Sequence, residues 1–134
     1  IPCRVFGFTD QVPLLMDAAD VMVSKPGPGV IGEALVKELP LLVDATCAVM
    51  PQERGNIDYV VDSGIGQRID SPSNFRKQIR SLAEGGRVLE TMRWNLKRMR
   101  KTESAAKLAQ LLWQVARDGV RPSVSPQGQM NLAG

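Results

Sequence analysis

The stretch SKPGPGVIGEAL at 24–35 reads as a strand end, a glycine-rich turn and the opening of a helix with a carboxylate, Glu33, in its first turn. Such a turn exposes backbone N–H groups and the positive end of a helix dipole, both suited to a phosphate. A second cluster, PQERGNIDY at 51–59, gathers carboxamide and carboxylate groups at another helix start. These groups suit sugar hydroxyls, because each can accept and orient a hydroxyl donor. Together the two clusters predict a site for a nucleotide diphosphate and for the group it carries.

Working outward, residues 3–6 read as a short buried strand ending at Gly7. Thr9 or Asp10 caps a helix through Pro13, Leu14, Leu15, Ala18 and Ala19, whose apolar positions recur at helical spacing. Residues 21–23 form the next strand. A helix follows over about 30–37, with Ile31, Ala34 and Leu35 inward; Pro40 stops it, and 41–43 make a third strand. Residues 53–62 are helical, Ser63 and Gly64 end that helix, and 66–69 give a short extended segment. Ser71 and Pro72 start another helix, the usual cap and first-turn pair. Two further helices cover about 87–100 and 103–117.

Short, continuous apolar strands alternating with helices predict an α/β fold with a parallel sheet covered on both faces. Three clear strands amount to the second half of a doubly wound domain. Ligands of such sheets bind beyond the carboxyl ends of the strands, where 7–10, 25–29 and 45–52 fall.

At 134 residues, 43% hydrophobic and 23% charged, the chain fits one modest soluble-type domain. The domain is expected over 1–118, and the Pro, Ser and Gly content of 119–134 predicts a disordered tail. No apolar run approaches the ~20 residues of a membrane span. The start, IPCRVFGFTD, has no secretory pattern and no initiator Met, which predicts a fragment with a partner half upstream. Cys3 and Cys47 form neither a disulfide framework nor a metal-ligand spacing and are expected as small core residues. The chain has no histidine, so the commonest general base and zinc ligand would come from elsewhere.

Charge is unevenly spread. Residues 1–75 carry five basic and ten acidic side chains, whereas 76–101 carry nine basic and two acidic. The basic segment (Arg76, Lys77, Arg80, Arg87, Arg93, Lys97, Arg98, Arg100, Lys101) reads either as a solvated helix face or as attraction to an anionic membrane surface, at roughly 1 kcal/mol per well-placed group. Only Phe75 and Trp94 interleave with it, and no base-reading pattern occurs, so nucleic acid is not an expected partner.

Lys25 stands before the glycine turn and is placed to neutralise a phosphate. Gln52, Glu53 and Asn56 open the second site helix. The run from Gly27 to Gly32 also matches G-x-G-x-x-G between a strand and a helix, and Asp44 ends the next strand. A nicotinamide-dependent dehydrogenase domain therefore stands as an alternative, although Pro28 stiffens the turn and this is not the first βα unit.

The run FGFTDQVPLLMDAADVMVSKPGPGVIGEALVKELPLLVDATCAVMPQERGNIDYVVDSGIG resembles the donor-binding half of glycosyltransferases built from two Rossmann-like domains, the GT-B arrangement. It is most similar to monogalactosyldiacylglycerol synthases and diacylglycerol glucosyltransferases, in the superfamily of the peptidoglycan N-acetylglucosaminyltransferase. The likeness covers about 4–70 well and continues sparsely through MRWNLKRMRKTESAAKLAQLL. It implies the C-terminal half of a Rossmann-like sheet ending in helices, with a UDP-sugar as donor substrate and no cofactor or metal.

The resemblance further implies that Phe8 and Thr9 line the uracil pocket and that Gly27, Gly29, Val30 and Ile31 present amides to the diphosphate beside Lys25. Glu33 would hold the ribose, while Gln52 and Glu53 contact the sugar and Asn56 supports that loop. The transfer is inverting, onto a lipid acceptor such as diacylglycerol, with galactose or glucose moved. Its catalytic base belongs to the N-terminal half, so this chain carries no catalytic residue and is expected to be inactive alone. The implied location is peripheral, on a cytoplasmic membrane face or a plastid envelope. A non-catalytic donor-binding subunit of a two-chain enzyme is the other expectation. Val30 replaces the small hydroxylated residue common after GPG, and the loop DATCAVMPQERGN departs from the usual sequence before QE.

Overall fold

A computed structural model describes residues 2–47, 49–84, 86–100, 103–119, 123–124 and 130–131. The chain divides into two compact units, Ile1–Arg100 and Lys101–Gly134. In the first, helix α1 (Val12–Ala18) leads into strand β1 (Met22–Ser24), helix α2 (Pro28–Lys37) and strand β2 (Leu41–Asp44). A 3-10 turn (Pro51–Glu53) and α3 (Arg54–Asp62) then lead to β3 (Gly66–Ile69), α4 (Pro72–Ala83) and α5 (Arg87–Met99). The strands form a parallel sheet in the order β1-β2-β3, with Met22 opposite Leu41 and Leu41 opposite Gly66. Parallel neighbours need crossovers, which α2 and α3 supply.

The sequence of β2 explains its central place. Successive side chains of a strand point to opposite faces. Leu41 and Val43 meet Ile31 and Ala34 of α2 and Ile57 and Val60 of α3, whereas Leu42 meets Phe75 and Leu82 of α4 and Leu89 and Met92 of α5. Helices thus cover both faces, as the continuous apolar runs predict.

Helix α5 contributes Met92 to one cluster and Leu96 to the other, because it crosses the amino ends of the strands. Three polar links hold it there. Arg93 Nη2 bonds Asp20 at 2.7 Å ahead of β1, Arg100 Nη1 bonds Glu38 at 2.8 Å ahead of β2, and Asn95 Nδ2 donates to the Gly64 carbonyl at 3.0 Å ahead of β3. The ligand end of the sheet is the opposite one.

Several expectations are corrected. Residues 3–6 form no strand, and Val5 is 89% exposed. A strand needs a neighbour for its backbone groups, and the described strands pair only among themselves. Cys3 and Cys47 are exposed rather than in the core. Helix α2 begins at Pro28, two residues before the expected start, because proline suits the first helical position. Glu33 therefore lies in the second turn, and the first turn holds no acid.

The second unit holds α6 (Ser104–Asp118), closed by Gly119 at φ 66, and an antiparallel pair of two-residue strands, β4 (Ser123–Val124) and β5 (Met130–Asn131). Helix α6, expected within 1–118, thus falls in this unit. Most of the tail expected at 119–134 lies outside the described residues.

Candidate functional site

The glycine turn after β1 presents fewer amides than its sequence suggests. The Gly27 N–H donates to the Lys25 carbonyl at 2.8 Å, and the Ile31 N–H donates to the Gly27 carbonyl at 3.1 Å. Pro28 has no N–H, and no side chain caps the helix. Gly29 and Val30 are left with first-turn N–H groups that meet no acceptor among the described residues. Two open amides at the positive end of a ten-residue helix, with the exposed Lys25 just ahead, form an anion cradle.

Beside the cradle, α1 and α2 enclose a groove of about 570 Å³ lined by Val12, Pro13, Met16, Gly29, Gly32, Glu33, Val36 and Lys37. Lys37 Nζ bonds Asp17 at 2.6 Å and ties the two helices together. The Glu33 carboxylate has no protein partner among the described residues, and in the second turn it cannot serve as the helix cap.

The glycines here are not demanded by the fold. A Cβ added at Gly27, Gly29 or Gly32 meets no atom within 4 Å, and none of the three has a positive φ. Glycine inside a helix costs roughly 0.5–1 kcal/mol relative to alanine, yet Gly29 and Gly32 both line the groove. Open space over glycine suits a ligand that approaches the backbone closely. The sequence reading met Gly32 only as the last glycine of the dinucleotide pattern and did not foresee the α1 wall; the i, i+3, i+4 spacing of Gly29, Gly32 and Glu33 puts all three on one helix face.

The second cluster arrives from β2. Asn56 is half-buried, and its Nδ2 donates to the Pro26 carbonyl at 2.8 Å, joining α3 to the glycine turn rather than to its own loop. Gln52 is exposed, with Nε2 3.5 Å from Met50 Sδ, and Glu53 caps no helix amide. Phe8 is fully exposed, and the Thr9 hydroxyl accepts the Gln11 N–H at 3.1 Å, so both stand on the approach to α1 without an enclosing pocket.

Asp44, the acid required by the dehydrogenase alternative, is committed locally. Its Oδ1 accepts from the Thr46 hydroxyl at 2.7 Å and the Thr46 N–H at 2.9 Å. The Thr46 hydroxyl, then its amide, and Lys25 more weakly, hold the Asp44 carboxyl below the usual carboxylate range. Farther along the same end of the sheet, Ala45, Cys47, Val49, Arg54, Ile57, Asp58 and Arg68 line a second cleft of about 440 Å³.

Helix α5, with its share of the basic segment, lies at the other end. Arg93 and Arg100 are taken up by Asp20 and Glu38. On the outer face of α5, Trp94 is 57% exposed with the Arg98 guanidinium 4.4 Å from its ring centre, and Arg87 and Lys97 are exposed beside them. No described helix is long and apolar enough to cross a membrane.

The chain is similar to several known proteins. The chain is 33% identical over 118 residues to monogalactosyldiacylglycerol synthase 1, chloroplastic, of Arabidopsis thaliana, covering 87% of this chain and 22% of that protein. It is 38% identical over 79 residues to the chloroplastic monogalactosyldiacylglycerol synthase of Spinacia oleracea, covering 59% and 15%. Among solved structures, the glycotransferase of kitacinnamycin superposes with a TM-score of 0.56 at 29% identity, over 78% of this chain and 28% of that one. The chain thus spans about a fifth of the length of the curated relatives it matches. No protein-family model matches it.

Proposed function

We propose that this chain, a homologue of one segment of the monogalactosyldiacylglycerol synthases, is the UDP-sugar-binding part of an inverting glycosyltransferase that moves a hexose, galactose or glucose, onto a lipid acceptor such as diacylglycerol. The observation that carries the reading is the glycine-lined groove beside two open amides: Gly29 and Gly32 are kept where the fold has room for side chains. In this reading the Gly29 and Val30 amides and Lys25 hold the diphosphate, Glu33 takes the ribose hydroxyls in the groove, and Phe8 and Thr9 close over the uracil. Gln52 and Glu53 face the sugar.

The acceptor hydroxyl attacks the anomeric carbon as the bond to the diphosphate oxygen breaks. The electron pair leaves with UDP, and the acceptor proton passes to a base in the N-terminal half of the same enzyme. This chain's part is electrostatic: open amides at a helix start stabilise the charge that grows on the departing diphosphate. Attachment to an anionic membrane surface, at a plastid envelope or a cytoplasmic face, rests on the unpaired cations of α4 and α5 and on the chloroplastic relatives.

Calorimetric titration of the chain with UDP, UDP-galactose, UDP-glucose and NADH tests the reading. Saturable UDP binding without NADH binding is expected, together with no sugar transfer by the chain alone. NADH binding without UDP binding would overturn it in favour of the dehydrogenase alternative.

A further inference from the structure

Four groups fix the turn that carries the open amides. Pro26 and Pro28 restrict their own φ, the Gly27 N–H closes on the Lys25 carbonyl, and the Pro26 carbonyl accepts from Asn56 Nδ2 at 2.8 Å. The last link is the only one of these from outside the turn. Pro26 is buried, Asn56 half-buried, and the partners lie 30 residues apart. We infer that Asn56 is a positioning residue for the diphosphate turn: its amide latches the Pro26 carbonyl and so aims the Gly29 and Val30 N–H groups at the phosphates. The sugar contacts fall to Gln52 and Glu53.

The inference deepens the donor-binding reading and rests on it for its ligand, but the latch itself is present in the ligand-free protein. Two consequences separate it from a sugar-contact role and from a merely structural one. Loss of the latch weakens the diphosphate contribution and leaves the nucleoside contribution in place. It also disturbs the Gly29 and Val30 amides before any ligand is added.

Asn56→Asp is the sharpest variant. It keeps the shape, removes the donor and sets a carboxylate against the Pro26 carbonyl. At the third position of α3, near the positive end of the helix dipole, the new charge is favourable to the helix. Asn56→Ala serves if the aspartate variant does not fold, and circular dichroism establishes which is used.

The experiment compares the wild type with the variant by UDP, UDP-galactose and uridine titration, and by ¹H–¹⁵N spectra without ligand. The expected result is UDP binding weakened about tenfold, the factor that loss of one hydrogen bond produces. Uridine binding should stay within about twofold, and the Gly29 and Val30 cross-peaks should shift in the free protein. Equal weakening of UDP and uridine, or weakening for UDP-galactose alone, overturns the latch. If the wild type binds no UDP, the donor reading fails, and unmoved Gly29 and Val30 cross-peaks would still refute the latch by themselves.

Discussion

Gly29→Ala puts the glycine argument to the test from both sides. In the free protein, the added methyl enters open space at a helical position without positive φ. Replacing glycine with alanine where the backbone permits it stabilises by about 0.4–1 kcal/mol, chiefly by restricting the unfolded chain. For a unit of about this size, that corresponds to a rise in Tm of roughly 2–8 °C. The same methyl would stand between the diphosphate and the Gly29 and Val30 amides. Displacing one hydrogen bond to a charged group costs about 1.5–3 kcal/mol, a loss of roughly 10–150-fold in UDP affinity. Gly66→Ala is the contrasting control. There a Cβ meets the Leu41 carbonyl and lies 2.6 Å from Val60 Cγ1, so overpacking of about 1–3 kcal/mol or more lowers Tm. Thermal denaturation and calorimetry read both variants. A Gly29→Ala protein that is less stable than wild type, or that binds UDP equally well, would refute the claim that a ligand keeps the glycine.

Glu33→Ala is expected to weaken UDP by about 1–3 kcal/mol with Tm almost unchanged, since the dipole effect is confined to the first turn; unaltered affinity would remove Glu33 from the site. Thr46→Ala should raise the Asp44 carboxyl toward 3.8, its ordinary value, as read by a carboxyl NMR titration. Because the folded value is depressed, the turn's contribution is present above the unfolded pKa and is lost as pH falls through the folded one. The wild type and Thr46→Ala should therefore differ in stability at pH 6 and converge in acid; a difference that persists at low pH would refute the assignment. Changing Arg87, Lys97 and Arg98 together to Gln should cut binding to anionic vesicles by about 3 kcal/mol at low salt, whereas changing Arg93 and Arg100 should mainly lower Tm. Undiminished vesicle binding by the triple variant would leave α5 a solvated face.

What the sequence made legible was local. Ser71 accepts the Asn74 N–H at 3.1 Å as the cap of α4, and Gly64 takes φ +64 where α3 ends. Two of the three apolar runs read as strands, 21–23 and 41–43, lie in the observed sheet, and the segment read only as extended at 66–69 completes it. Non-local facts were not legible. Residues 3–6 have strand composition but no strand beside them, and composition cannot announce a missing neighbour. Cys47 follows a buried strand, yet the chain has already turned outward through the Asp44–Thr46 hydrogen bonds. A two-residue error in the start of α2 moved Glu33 out of the first turn and removed its capping role. The Asn56–Pro26 bond, spanning 30 positions, has no sequence signature at all.

The charge asymmetry shows how one sequence feature divides between folding and function. Arg93 and Arg100 meet acids of the first half at the amino ends of β1 and β2, so part of the basic segment is consumed in seating α5. Of the α5 cations, Arg87, Lys97 and Arg98 remain, grouped with Trp94 on the outer face of that helix, while Arg76, Lys77 and Arg80 stand exposed on α4. An amphipathic ring among cations is suited to a headgroup layer. The glycine turn, however, lies at the opposite end of the same strands, so a lipid surface held by α5 cannot also cover the donor groove. Attachment and donor binding are then independent properties of this unit: the triple Gln variant should lose vesicle binding and keep its UDP affinity within about twofold, the error of additivity for distant sites. A coupled loss of both would refute that independence and show that the α5 cations act on the donor site as well as on the vesicle surface.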